Sequence, residues 1–388
     1  MLRRLLHLAP AACVALAACG TGEDGPHSAA PPGAPVSVGT EPRASVGVME
    51  GDPMLELHRV VTPFLLGDGR LVVPVAGHRT IRLFSAEGAF ITELGGPGEG
   101  PGEFASLGAA WARGDTIEAF DGSLRRITRF LPDRSFDVVS LDPVPSAQSA
   151  IPGALPDGWA LMGVERAGVD RRDHLAVHHF ARDGAHLGRV TELEGMARYR
   201  HPAGAGPHPL SPTARGRVAA GRLYLGDTLV PALRVLDALP EPAEHEVRWG
   251  VRDRPSVASV FRQVVDAAVA GADAGEADFL RERLEAAALP DDLSIFWDFM
   301  VDEEGFIWIR PYEPSEHAIA LGASPLGGPG PGGEWLILSS EGDEVGQITI
   351  PDGLEPLHVT ADAVVGIHRD GWDVESVRVH PLERSGGR

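Results

Sequence analysis

Ile81-Arg82-Leu83-Phe84, a turn closing at Gly88, the segment Phe90 to Leu94, and then Gly95-Gly96-Pro97-Gly98-Glu99-Gly100-Pro101-Gly102-Glu103-Phe104 form the run that decides the fold. The first and third pieces alternate apolar and polar residues, the period of a strand with one buried face. Glycine loses much backbone freedom on ordering, and proline lacks the N–H that a ladder needs. The decapeptide is therefore neither helix nor strand interior. It reads as a backbone-governed connection between two sheets. Beyond it come Asp121, Arg126-Ile127 and Phe130.

The unit recurs. Asp121 is followed by Ile127 and Phe130, and Asp227 at the same offsets by Leu233 and Leu236. Val75, Ile81 and Phe84 occupy the same frame without the acid. Phe84 with Gly88, Phe180 with Gly184 and Leu338 with Gly342 each read as apolar-x-x-x-Gly, and Val377 to His380 is a last alternating strand. The anchors Phe84, Phe130, Phe180, Leu236, Leu338 and Val379 step by 46, 50, 56, 102 and 41 residues. A period of roughly 40–50 residues with about four short strands per unit is the mark of a propeller. Six anchors predict an all-β, six-bladed β-propeller, with an α-helical hairpin inserted in the double-length step.

The run Leu94-Gly95 … Gly100-Pro101-Gly102-Glu103-Phe104, then Asp121 … Arg126-Ile127 … Phe130, resembles an NHL-type repeat. More closely it resembles the six-bladed β-propeller lipoproteins of bacteria, over roughly residues 55 to 382. The other units lack the Gly-Pro run, and most lack the Asp/Arg pair. The resemblance implies a fold more than a reaction. It also implies structural roles for Gly95, Gly100, Pro101, Gly102, Glu103, Phe104, Asp121 and Arg126. In such blades the acid accepts backbone amides and the arginine bridges neighbouring blades.

Composition narrows the functions. The chain has 388 residues, 43% hydrophobic and 23% charged, enough for a full core in one closed β domain. A net charge of −21 disfavours nucleic acid and electrostatic docking on anionic lipid. The sequence contains neither Lys nor Asn. That rules out a Walker-type phosphate loop, a Schiff base and an N-glycosylation site.

Residues 1–19 read as a targeting segment. Arg3 and Arg4 precede the apolar stretch Leu5 to Ala18, and Leu16-Ala17-Ala18-Cys19 resembles the lipobox of bacterial lipoproteins. The resemblance implies cleavage before Cys19, lipid on Cys19, and, with Gly20 following, a lean toward the outer membrane. Cys13 would leave with the signal peptide, so the mature chain would hold no disulfide. Residues 20–53, poor in large apolar side chains, are expected to be a flexible tether, and residues 54–382 the propeller. Within it, Leu55 to Leu66 is expected to close the ring by pairing with the last blade. Residues 255–289 break the β pattern with the helical stripes of Val257, Val260, Phe261, Val264 and of Phe279, Leu280, Leu284.

No catalytic, metal or cofactor set emerges from motif spacing. His178 and His179 alternate across a strand, so they cannot both serve one ion without a bulge, and the expectation is exposed or edge histidines. His-Glu-x-x-His and Gly-x-Ser-x-Gly are both missing. Some propellers of this kind are enzymes, and calcium-dependent lactonases bind their ion partly through Asn, which is lacking here. In peptide-amidating lyases, which resemble NHL propellers, histidines hold zinc; spacing leaves open whether His78, His178, His358 or His368 converge. The expected function is a lipid-anchored envelope module that binds a small ligand or an envelope protein. Its membrane contact would be through lipid alone. The alternative is a metal-dependent lyase or hydrolase sited at the central channel.

Overall fold

The computed structural model describes residues 31–144, 149–169, 171–237, 239, 242–269, 273–313 and 332–386. The signal segment, Cys19 and most of the second Gly/Pro run lie outside the described residues.

The described strands form six antiparallel sheets that follow one another along the chain. In the first, Phe64–Leu65, Leu71–Val75, Thr80–Phe84 and Phe90–Gly95 pair in sequence order. All six anchors fall on the third strand of their sheets, and all are buried. The recurring glycine closes the hairpin from the third to the fourth strand. Gly88, Gly184 and Gly342 have φ of 88°, 92° and 97°, which β-carbons disfavour. The same turns press on the outer strand of the preceding sheet. A side chain on Gly184 would strike the Ser140 carbonyl, and one on Gly342 the Arg248 carbonyl. One glycine thus serves both a turn and a sheet-to-sheet contact.

Apolar clusters join each sheet to the next. Phe64, Ile81, Phe104 and Phe130 couple the first and second sheets; Ile127, Trp159 and Phe180 couple the second and third. Met162 and Leu225 join the third to the fourth, and Val235 and Phe299 the fourth to the fifth. Trp308 and Trp335 meet Val364 between the fifth and sixth sheets. Leu71 and Phe84 meet Val365 and Val377 between the first and the last. The ring is closed, and the molecule is a β-propeller.

Closure differs from the sequence expectation. Only Phe64–Leu65 of the 55–66 segment is a strand, and it pairs within the first sheet. The outer strand of the last sheet comes instead from Pro35–Val38 and Ala44–Val46, which pair with Glu375–Arg384. The expected tether of residues 20–53 therefore contains folded structure from Ala34 onward. Ala34, Val38, Ala44 and Val46 are buried, small side chains sufficing because the strand lies at a sheet edge. Pro35 is tolerated there for the same reason. Residues 54–56 instead offer carbonyls to a buried cation: Arg82 donates to the Met54 and Glu56 oxygens at 3.1 and 2.5 Å.

The described one–two hairpins, and the three–four hairpins of the first five sheets, lie on one face. The described two–three loops and sheet-to-sheet connections lie on the other, the connection face. The Gly-Pro run sits there, between the first and second sheets. So do helices α1 (Val257–Val269) and α2 (Ala274–Glu285), between the fourth and fifth. Asp273 caps α2, accepting from the Gly275 and Glu276 amides. Val260, Phe261 and Leu284 pack with Tyr199, Leu210 and Leu293 into a separate small core, so the helices and the Tyr199 hairpin form one cap. Among the described residues, no helix is long and apolar enough to cross a membrane.

Candidate functional site at the inner strands

The first strand of each sheet is the innermost, and it begins at the connection face. In the fourth sheet this strand is Ala214–Ala219. Ala214 and Gly216 face the third sheet, where a β-carbon on Gly216 would collide with Met162. Alternation then turns Arg215 and Arg217 toward the fifth sheet. Arg217 Nη2 pairs with Asp298 Oδ2 at 2.7 Å, and Arg215 Nε donates to the Trp297 carbonyl at 2.9 Å. The Arg215 guanidinium lies 5.1 Å from the Trp297 ring centroid, within cation–π range. Arg215 is 6% exposed, and its Nη2 has no hydrogen-bond partner among the described residues. Burial lowers its pKa; Asp298 opposes the shift and Arg217 adds to it.

The sixth sheet contributes a second polar group from Leu354–Val359. Glu355 pairs with Arg369 at 2.8 Å, and Arg369 also holds Glu375 at 3.0 Å. Burial raises the Glu355 pKa against the pull of Arg369, and the Asp298 charge pushes the same way as burial, so the two clusters sense each other. His358 Nδ1 accepts a long hydrogen bond of 3.4 Å from the Leu65 amide, which leaves the ring proton on Nε2. Burial drives its pKa down to about 4, so the ring is neutral at pH 7. Inner strands thus present a guanidinium pair, carboxylates, an indole and a neutral imidazole where the sheets converge.

The residues singled out by the repeat lie elsewhere, at the first sheet-to-sheet connection. Asp121 is wholly buried and accepts four amides: Ala105 and Ser106 at 2.7 and 3.2 Å, Ser123 and Leu124 at 3.0 and 2.9 Å. Arg126 donates to the carbonyls of Glu99, Gly100 and Glu103 at 3.0, 2.7 and 2.7 Å. The Glu103 carboxylate reaches back across Pro101 and accepts from the Gly100 amide at 2.8 Å. Gly95 and Gly102 have φ of 80° and 79°. A β-carbon on Gly95 would enter the Phe104 ring, which packs 6.2 Å from Phe130. The Asp121, Arg126 and Glu103 side chains are thus spent on backbone groups, with only Arg126 Nε left unpartnered among the described residues.

The histidines do not converge. His78 meets Arg82, His178 meets His186 at 3.1 Å, and His179 meets Asp157 at 3.2 Å. His178 and His179 are 3% and 1% exposed, not surface residues as expected, because their strand is central in the third sheet. His368 lies by Gly353. Among the described residues, no group of three or more His, Cys, Asp or Glu is placed to hold a metal ion. Arg215, Arg217, Asp298 and Glu355 are not marked by any motif in the sequence. The one available signal is charge on a first strand, in Arg215-Gly216-Arg217.

No protein-family model matches the chain, and no curated protein matches its sequence. Solved structures do. A member of the DUF4221 family from Bacteroides vulgatus matches with a TM-score of 0.53 at 11% identity, over 90% of this chain and 98% of that one. A candidate exported protein from Bacteroides fragilis gives 0.49 at 11% identity, covering 88% and 94%. Virginiamycin B lyase from Staphylococcus aureus gives 0.39 at 11% identity, covering 87% and 97%. At such identities the likeness concerns the fold alone.

Proposed function

We propose that this chain is a lipid-anchored, six-bladed β-propeller of the bacterial envelope, leaning to the outer membrane. It would act as a binding or scaffolding module whose ligand or protein partner contacts the inner-strand ends on the connection face. Six sheets, each coupled to the next by its own apolar cluster, support six blades. The Leu16-Ala17-Ala18-Cys19 motif supports the anchor, and the Gly100-Pro101-Gly102-Glu103-Phe104 run supports the NHL-like kinship.

The observation that carries the binding role is the charge on the inner strands. Arg215, Arg217, Asp298 and Glu355 come from three different sheets, whereas the joints between sheets are chiefly apolar. Convergent polar groups in a concave, mostly apolar setting are what a binding site needs. A photo-reactive residue replacing Trp297, set against one replacing Arg134 on the hairpin face, tests this in cells. Discrete adducts at 297 alone are expected; identical patterns at both positions would refute the site. Separately, Cys19→Ala should release the protein from the membrane fraction.

A further inference from the structure

The cap on the connection face holds a second polar group, separate from the inner strands. Tyr199 and His201 lie on the long strand His186–His201, which returns through Gly204–Pro207. Their rings meet at a tilt of 53°, with centroids 5.3 Å apart. Arg283 approaches from α2. The Tyr199 hydroxyl, both His201 ring nitrogens and Arg283 Nε are all buried with no hydrogen-bond partner. Tyr199 is 3% exposed; His201, close to the surface yet covered, is 8% exposed.

Four unmet polar atoms on three neighbouring side chains are costly, because a buried unsatisfied group loses its hydration without compensation. Other polar groups in the cap are paired: His208 donates from Nε2 to the Ala288 carbonyl at 2.7 Å and accepts from the Leu210 amide at 3.1 Å. Gly206 leaves a notch at the unmet group. A β-carbon there would stand 3.3 Å from His201 Nε2 and 3.7 Å from Arg283 Nη2. A guanidinium, an imidazole and a phenol around a gap together offer more donors than acceptors.

We propose that the notch between Gly206, His201, Tyr199 and Arg283 binds an oxyanion, a phosphate or carboxylate group, clasped between the hairpin and α2. The anion supplies the missing acceptor to the phenol, the imidazole N–H and the guanidinium. In a chain of net charge −21, such a site attracts anions only locally, through its directed donors.

Melting of the detergent-solubilised full chain, followed by tryptophan fluorescence, tests this with inorganic phosphate and with acetate against chloride at equal ionic strength. A saturable rise in Tm beyond chloride is expected, and the anion giving the larger rise tells phosphate from carboxylate. Arg283→Gln should weaken the apparent affinity about tenfold or more, the scale of one charge-assisted bond. Gly206→Ala fills the notch from a different element and should weaken it as well. Tyr199→Phe should melt no lower than wild type in chloride yet lose part of the anion-dependent rise. No saturable rise with either anion, or a rise untouched by Arg283→Gln and Gly206→Ala, would overturn the site.

Discussion

The joint between the first and second sheets and the joint between the fourth and fifth both bury charge, the one spending it on backbone groups and the other on side chains. At the first, Asp121 is fully covered and has four amide donors, while Arg126 spends its guanidinium on three carbonyls of the Gly-Pro connection. The Asp121 carboxylate is fully met there, and of the Arg126 guanidinium only Nε is left without a partner among the described residues. At the other joint, Arg217 pairs with Asp298, yet Arg215 keeps an unpartnered Nη2 over the Trp297 ring. A satisfied buried charge rigidifies its surroundings, whereas an incompletely satisfied one is a cost that binding can relieve. Similar residue types therefore serve shape at one joint and, under the proposed binding role, recognition at the other.

Four experiments sharpen this contrast, beginning with the closure on which both joints depend. A chain beginning at residue 54 would lose Pro35–Val38 and Ala44–Val46 and bare the edge of Glu375–Arg384. It should aggregate or fail to melt cooperatively, while a chain beginning at residue 31 should fold. Cooperative melting of the shorter chain would show that closure does not need the N-terminal strands. Next in size, Asp121→Ala strands four buried amides and should cost about 3–5 kcal/mol in urea unfolding, as for other broken buried networks.

Acid should act at a third joint, where His358 of the last sheet meets Leu65 of the first. The fold holds His358 at a pKa of about 4, below its ordinary 6.5, so the neutral ring is the native form. Its contribution is whole above pH 6.5 and is lost as pH falls from 6.5 toward 4, where the unfolded chain takes the proton first. The loss amounts to about 3 kcal/mol at most, since each tenfold difference in proton affinity between the folded and unfolded chain is worth about 1.36 kcal/mol. His358→Asn, which keeps an acceptor for the Leu65 amide, should flatten that part of the stability curve; an unchanged slope would assign the acid loss to other groups. The smallest effect is expected at Arg215→Met, within about 1 kcal/mol of wild type, because an imperfectly paired buried cation adds little net stability. A loss as large as that of Asp121→Ala would erase the distinction between the two joints.

Much of the ring is legible in the sequence because its signals are local. An alternating strand followed by apolar-x-x-x-Gly marks the third hairpin of a sheet, and the glycine at 88, 184 or 342 is required by a positive φ that the chain itself must adopt. The Gly-Pro run announces a connection for the same reason. Ala34 to Val46 reads as a tether because its side chains are small, and composition does not reveal that a distant strand, Glu375–Arg384, lacks a partner on that side. Arg215 and Glu355 carry no local signal, because a charge on a short strand normally faces water. Only the packing of neighbouring sheets shows that these two face one another's surroundings inside the ring.

By itself, the order of residues determined the β period, the recurring turn, the helical interruption at Val257 to Glu285, and the acid and arginine of the Gly-Pro latch. Each depends on neighbours within a few tens of residues. Tertiary structure alone decided which strand closes the ring, which charges remain unmet, and that Tyr199, His201 and Arg283 meet in one notch. Those outcomes depend on contacts between segments far apart in the chain, where burial, not local pattern, sets the free energy of a polar group.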